Sequence, residues 1–223
     1  MTRVVLWDFD ETLAHRPGRW STCLVDALDE ELPGHGVTVD DIRPLLRDGF
    51  PWHRHDVPHP ELCEPDAWWA CVGTLIEHAY AGVGVEADRC AALARRVRVI
   101  YADAGLAWQL FADTIPALNA LTAAGWRHAM LSNHVPELPA LVEGLGLGPH
   151  FDVVLTSAAT GYEKPHPEAF ANALRACGSP DNAVMVGDNP HADIAGAEAA
   201  GIPAILVRSD GAPGLAAVVE RLT

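Results

Sequence analysis

The sequence predicts an α/β protein: a Rossmann-like parallel-sheet core, interrupted after its first strand by a run of helices that form a bundle. Three observations carry that expectation. The apolar run Val4-Val5-Leu6-Trp7 ends on Asp8-Phe9-Asp10, the pattern of a buried strand that delivers carboxylates at its end. From Asp113 onward strands and helices alternate, the order from which crossover connections build a parallel sheet. Between Trp20 and Tyr101 the regular segments are helical only. The 223 residues, 49% of them hydrophobic, can bury a substantial core as one large domain or as a domain with an insertion.

Each element has its own reason. Apolar residues at helical spacing predict helices over 21–32, 39–46, 66–81 and 86–100, with Pro33-Gly34 and Gly82-Val83-Gly84 as breaks between them. The alternating part then predicts a helix over 114–124, a strand over 127–131, a helix over 137–145 and a strand over 153–156. A helix over 167–176, a strand over 183–186, a helix over 192–200, a strand over 204–207 and a helix from Pro213 complete the pattern. Gly125 and Gly201 each follow a predicted helix directly before a strand, where a left-handed residue ends the helix.

Composition excludes several classes of function. A formal net charge of -15 leaves no basic surface for nucleic acid or for anionic lipid. No apolar stretch is long enough for a bilayer, and Met1-Thr2-Arg3 leads into the first strand without the pattern of a signal peptide, so the expected location is cytoplasmic. Cys23, Cys63, Cys71, Cys90 and Cys177 are scattered, odd in number and without a Cys-x-x-Cys spacing, which suits reduced thiols that mostly fill the core.

The chemistry concentrates where the first strand ends. Side chains two positions apart share a face of a strand, so Asp8 and Asp10 project toward one volume at the carboxyl end of the sheet, where open α/β sheets bind ligands. One carboxylate can attack as a nucleophile while its neighbour handles the proton. A solvated acidic turn is the plainer alternative. It is disfavoured because the acids directly follow a hydrophobic strand and because three further segments fit the same chemistry.

Those segments are Leu131-Ser132-Asn133, Lys164-Pro165 within Gly161-Tyr162-Glu163-Lys164-Pro165-His166-Pro167, and Gly187-Asp188-Asn189-Pro190-His191-Ala192-Asp193. Together with Asp8-Phe9-Asp10-Glu11-Thr12, in this order and each after a predicted strand, they make the chain resemble the haloacid dehalogenase-like hydrolase superfamily, in its phosphatase branch. Departures are small: Glu11 stands where the family often has Gly, and Ser132 where Thr is an equal alternative. The Trp68-Trp69 pair and the run from Thr156 to Gly161 are most similar to its Rhythmically-expressed-gene-2-like branch.

The resemblance implies a catalytic core of residues 1–16 and 103–223, with residues 17–102 as a helical cap that opens and closes over small substrates. It implies a magnesium-dependent phosphatase acting on a small-molecule phosphate monoester. Asp8 would attack phosphorus, Asp10 would act as acid and then base, and Lys164 would add positive charge. Ser132, with the amides of Phe9, Asp10 and Asn133, would hold the phosphoryl group. Mg2+ would contact the carboxylates of Asp8 and Asp188 and the backbone carbonyl of Asp10, with Asp193 acting directly or through water. Thr12 would brace the loop. Dehalogenases of the superfamily lack an Asp at the position of Asp10, because displaced halide needs no proton. A phosphoglucomutase-like transferase and a non-catalytic binding module on the same fold are the alternatives. A monomer or weak homodimer is expected.

Other conspicuous residues have plainer readings. His53, His55 and His59 sit in a proline-punctuated segment that reads better as a polar loop than as a zinc site, because nothing supplies convergent ligands. Trp68-Trp69 is read as core packing for at least one ring. His134 is read either as touching substrate or as a surface-loop residue, and His166 and His191 as capping helices or facing solvent.

Overall fold

A computed structural model describes residues 1–209 and 211–223. A five-stranded parallel sheet is built from β1 (Arg3–Trp7), β4 (Arg127–Ser132), β5 (Val153–Thr156), β6 (Asn182–Gly187) and β7 (Ala204–Leu206), in the order β5-β4-β1-β6-β7. β1 is central because it is apolar on both faces. Val5 and Trp7 enter one hydrophobic cluster with Met130, Val184 and Val186, while Val4 and Leu6 enter the other with Ala129, Leu131 and Met185. A strand covered on both sides reads as an unbroken apolar run rather than an alternating one. Register sets Trp7 beside Met130 on one neighbour and beside Val186 on the other, so the residues just beyond the ends of β1, β4 and β6 meet.

Helices α5 (Thr114–Ala123), α6 (Leu138–Gly144), α7 (Ser157–Thr160), α8 (Pro167–Ala176), α9 (Gly196–Ala199) and α10 (Ala216–Leu222) connect and flank the strands. Gly125 (φ 85°) and Gly201 (φ 76°) adopt the left-handed backbone expected of them. The predicted helix over 192–200 instead begins as a π-helical turn, Pro190–Ala195, and becomes α-helical only at Gly196. At Gly196 a side chain has no room: an added Cβ would lie 2.7 Å from Pro165 Cβ and 2.9 Å from both Pro165 Cα and Phe170 Cε2. Gly196→Ala should therefore cost ~1–3 kcal/mol through overpacking. Thermal unfolding followed by circular dichroism checks this, and an unchanged midpoint would contradict the close approach.

The helices before the sheet resumes are α1 (Arg19–Glu31), α2 (Val39–Ile42), α3 (Pro65–Gly82) and α4 (Ala87–Ala102). α4 packs against both α1 and α3, and a stack of rings joins them, with Trp20 lying on Tyr101 at 3.9 Å between centroids. The predicted helix over 39–46 is α-helical only through Ile42 and tightens to a 3-10 turn over Arg43–Leu46. Pro44 explains the change: it has no N–H to continue the α-helical ladder. Two short 3-10 turns, Pro51–Arg54 and Pro60–Leu62, punctuate the histidine-bearing loop.

A second, two-stranded sheet lies outside the predicted elements. β2 (Ala14–His15) and β3 (Gln109–Leu110) pair antiparallel, joining the two places where the chain passes between sheet and helices. Buried Arg16 reinforces the junction by donating to the carbonyl of Leu106 at 2.6 Å. Among the described residues, no helix is long and apolar enough to cross a membrane.

Candidate active site

The four sequence segments converge on one cleft at the carboxyl ends of the central strands. Its lining includes Asp8, Asp10, Ser132, Asn133, Lys164, Asp188 and Asp193, and it encloses about 230 Å³. Asp8 follows β1 directly, and its amide still donates to Val186 on β6 at 2.9 Å, so the sheet fixes its backbone. Its Oδ1 accepts from Ser132 Oγ at 2.7 Å and from Lys164 Nζ at 2.8 Å. Nζ also donates to Asp193 Oδ1 at 2.5 Å. Lys164 is thereby a buried cation held between two carboxylates; burial works against its charge, but Asp193 and Asp8 outweigh that and raise its pKa.

The loops are fixed by their own side chains. Asn133 grips the backbone of Lys164 from both sides: its Nδ2 donates to the carbonyl at 2.8 Å and its Oδ1 accepts from the amide at 2.7 Å. Asn189 caps the π-helical turn through Oδ1, which accepts from the amides of His191 and Ala192, while its own amide donates to Asp193 Oδ2 at 3.0 Å. Asp193 approaches the end of β6 so closely that a Cβ on Gly187 would fall 2.2 Å from its Oδ2, and only glycine leaves that space. Phe9 is fully buried against Trp108, which fixes the loop between Asp8 and Asp10.

Carboxylate oxygens of Asp8, Asp188 and Asp193 lie within 4.8 Å of one another. At that spacing two like charges cost ~3–4 kcal/mol per pair at an effective dielectric of 20. Burial, then repulsion from Asp8, raises the pKa of Asp188; burial raises Asp193 despite Lys164. Desolvation, then Asp8, pushes Asp10 up to about 8. A cluster of hard oxygen donors carrying surplus negative charge fits a divalent cation such as magnesium.

This has a measurable consequence for the metal-free protein. Carboxyl groups titrate near 4 when unfolded, so groups raised in the fold keep protons that the unfolded chain releases, and their contribution to stability is lost as pH rises. Buried His128 and His134, held down to about 4 by desolvation, act in the opposite direction but only below their ordinary value of 6.5. Between pH ~6.5 and ~8.5, with a chelator, the melting midpoint should therefore fall by ~3 °C or more, and magnesium should recover most of the loss. Differential scanning fluorimetry checks it; a flat profile, or no recovery, would contradict the charge surplus.

His134 is not a surface-loop residue. It is 1% exposed, sits edge-on to Phe9 beside Trp108 and Tyr101, and places Nε2 3.8 Å from Asp10 Oδ2. Its apolar neighbours in sequence, Val135 and Leu138, gave the only hint. His53, His55 and His59 do not converge: His53 faces Asp48, His55 lies against exposed His191, and His59 is buried, its amide donating to Gly161 at 2.8 Å. Among the described residues, the three aspartates above are the one cluster arranged for a metal ion. His166 caps α8, its Nδ1 accepting from the Glu168 amide at 3.1 Å. Thr12 is fully buried, and its hydroxyl has no partner among the described residues. Trp68 is buried, while Trp69 also donates to Glu137 at 2.9 Å. All five cysteines are free. The cleft also contains Arg19, Trp20 and Trp52, which the sequence reading did not place there.

The central strand of the parallel sheet leads into an acid, and a serine, a buried lysine and two further acids join it at that end of the sheet. The chain belongs to the haloacid dehalogenase-like hydrolases: that family's model matches residues 2–201. It is 32% identical over 216 residues to haloacid dehalogenase-like hydrolase domain-containing protein 3 of Mus musculus, covering 92% of this chain and 81% of that protein. It is 33% identical over 218 residues to the phosphoglycolate phosphatase of Rhodospirillum rubrum, covering 93% and 80%. Among solved structures, 2-haloacid dehalogenase from Pseudomonas syringae pv. tomato superposes with a TM-score of 0.67 at 27% identity, covering 100% of this chain and 98% of that one.

Proposed function

We propose that the chain is a magnesium-dependent phosphatase that hydrolyses a small-molecule phosphate monoester through an aspartyl-phosphate on Asp8. The observation that carries this reading is Asp10. A second acid shares the cleft with Asp8, and desolvation keeps it protonated to about pH 8. A displaced alkoxide needs that proton, whereas a displaced halide does not. Relatives named as phosphoglycolate phosphatase and phosphoserine phosphatase support phosphoryl chemistry.

In the proposed sequence Asp8 attacks phosphorus in line, the bond to the ester oxygen breaks, and Asp10 gives that oxygen its proton. Asp10, now ionised, takes a proton from water as the water attacks phosphorus and releases Asp8 and inorganic phosphate. Ser132, the amides of Phe9, Asp10 and Asn133, and the Lys164 ammonium hold the phosphoryl oxygens. Asp8, Asp188 and Asp193, with the Asp10 carbonyl, would hold the metal. Bound there, magnesium supplies the positive charge that lets a dianionic ester approach these acids. Residues 17–102 act as a cap over the core formed by 1–16 and 103–223, excluding water during transfer. Five free thiols support a cytoplasmic setting.

A panel of metabolite phosphates assayed for released phosphate tests the reading, with magnesium and with chelator. Magnesium-dependent release is expected. An isomerised product without free phosphate would indicate a mutase, and silence across the panel would contradict the assignment.

A further inference from the structure

The cleft holds two cations among the described residues, and they are in different situations. Lys164 is buried and saturated by Asp8 and Asp193. Arg19 stands at the rim at 61% exposure and pairs only with Glu11, at 3.3 Å. Exposed pairs of that kind hold weakly, so the guanidinium can exchange one carboxylate for another.

Both members of the pair are held in left-handed backbone, at φ 56° for Glu11 and φ 49° for Arg19. Non-glycine residues adopt that conformation rarely, and strain of this kind persists where the surrounding fold imposes it. Arg19 lines the same cleft as Asp8 and Asp10, next in sequence to Trp20.

The rest of the cleft is walled by aromatic rings. Trp20, stacked on Tyr101, and Trp52, stacked on Phe50 at 4.6 Å, form a braced wall around about 230 Å³. A phosphoryl group with a short carbon chain fits, and a planar guanidinium fork matches a carboxylate.

Resting on the phosphatase reading above, we infer that Arg19 is a specificity residue, selecting small phosphate monoesters whose leaving alcohol carries a carboxylate. Glu11 is its resting counter-ion, displaced when the substrate carboxylate binds.

The test compares kcat/KM for two matched pairs of probes: phosphoglycolate with ethyl phosphate, and 3-phosphoglycerate with glycerol 3-phosphate. The quantity read is the ratio of the carboxylated ester to its partner. Arg19→Gln should lower that ratio ~10-fold or more, chiefly through KM, because a charged hydrogen-bonded contact is lost. Arg19→Lys should fall between. Glu11→Gln should raise the ratio, since it removes the competing carboxylate; a merely structural role for the pair would move both variants in the same direction. An unchanged ratio in Arg19→Gln, or shifts of the same sign in Arg19→Gln and Glu11→Gln, would overturn the inference while leaving the phosphatase standing. Hydrolysis of neither carboxylated ester, where some other ester of the metabolite panel is hydrolysed, would overturn the inference alone; silence across the whole panel would overturn both.

Discussion

Asp8→Asn is expected to abolish turnover, with kcat/KM falling ~10⁴-fold or more, the scale seen when a covalent nucleophile is removed. The substitution is nearly isosteric. The amide oxygen can still accept from Ser132 and Lys164, which now meet Asp8 Oδ1 at 2.7 and 2.8 Å. What disappears is the attacking carboxylate and one negative charge from the cluster with Asp188 and Asp193. The melting midpoint of the metal-free variant should accordingly be no lower than that of the wild type, which separates loss of chemistry from loss of fold. Steady-state phosphate release, paired with a thermal melt, checks both statements. Residual activity near the wild-type level would remove Asp8 from the role of nucleophile.

Asp10→Asn should lower kcat by ~10²–10⁴-fold on alkyl phosphates, the range typical of a lost general acid and base. The loss should be smaller in the first step when the leaving group is a phenolate such as p-nitrophenolate, which departs without a proton. Dephosphorylation still lacks its base, so phosphorylated enzyme should accumulate on that substrate. The wild-type pH profile follows from the same group. Asp10 must begin protonated, and burial raises its pKa, so activity should decline at alkaline pH, and the variant should lose this limb. Equal losses in the first step on alkyl and aryl esters, with no phosphorylated enzyme accumulating and an unchanged profile, would contradict the assignment of Asp10.

Much of this was legible in the sequence, for physical reasons that differ from residue to residue. β1 could be read because both its faces are buried, which forces an unbroken apolar run. The chemistry could be read because each segment follows a strand and open sheets gather such ends at one edge. The extent of α2 was misjudged because hydrophobic spacing outweighed the missing N–H of Pro44. β2 and β3 have two residues each, too short for any period to register.

Site residues that act through distant partners leave no local pattern. The sequence points to the amide of Asn133, yet its side chain is what clamps Lys164, 31 positions away. His134 looked like a loop histidine because its burial comes from Phe9, Tyr101 and Trp108, on three separate segments. Arg19 carried no motif at all. Its partner Glu11 is eight positions away, outside any helical or strand spacing that would pair them.

Trapping the covalent intermediate tests the central claim most directly. The wild-type protein, mixed with magnesium and its best ester, is quenched in acid within the first turnovers, digested, and its peptides analysed by mass spectrometry. A phosphoryl group on the amino-terminal peptide, localised to Asp8 and absent from Asp8→Asn, is the predicted result. Phosphate release with no phosphorylated peptide, or a phosphoryl group on a different residue, would contradict it.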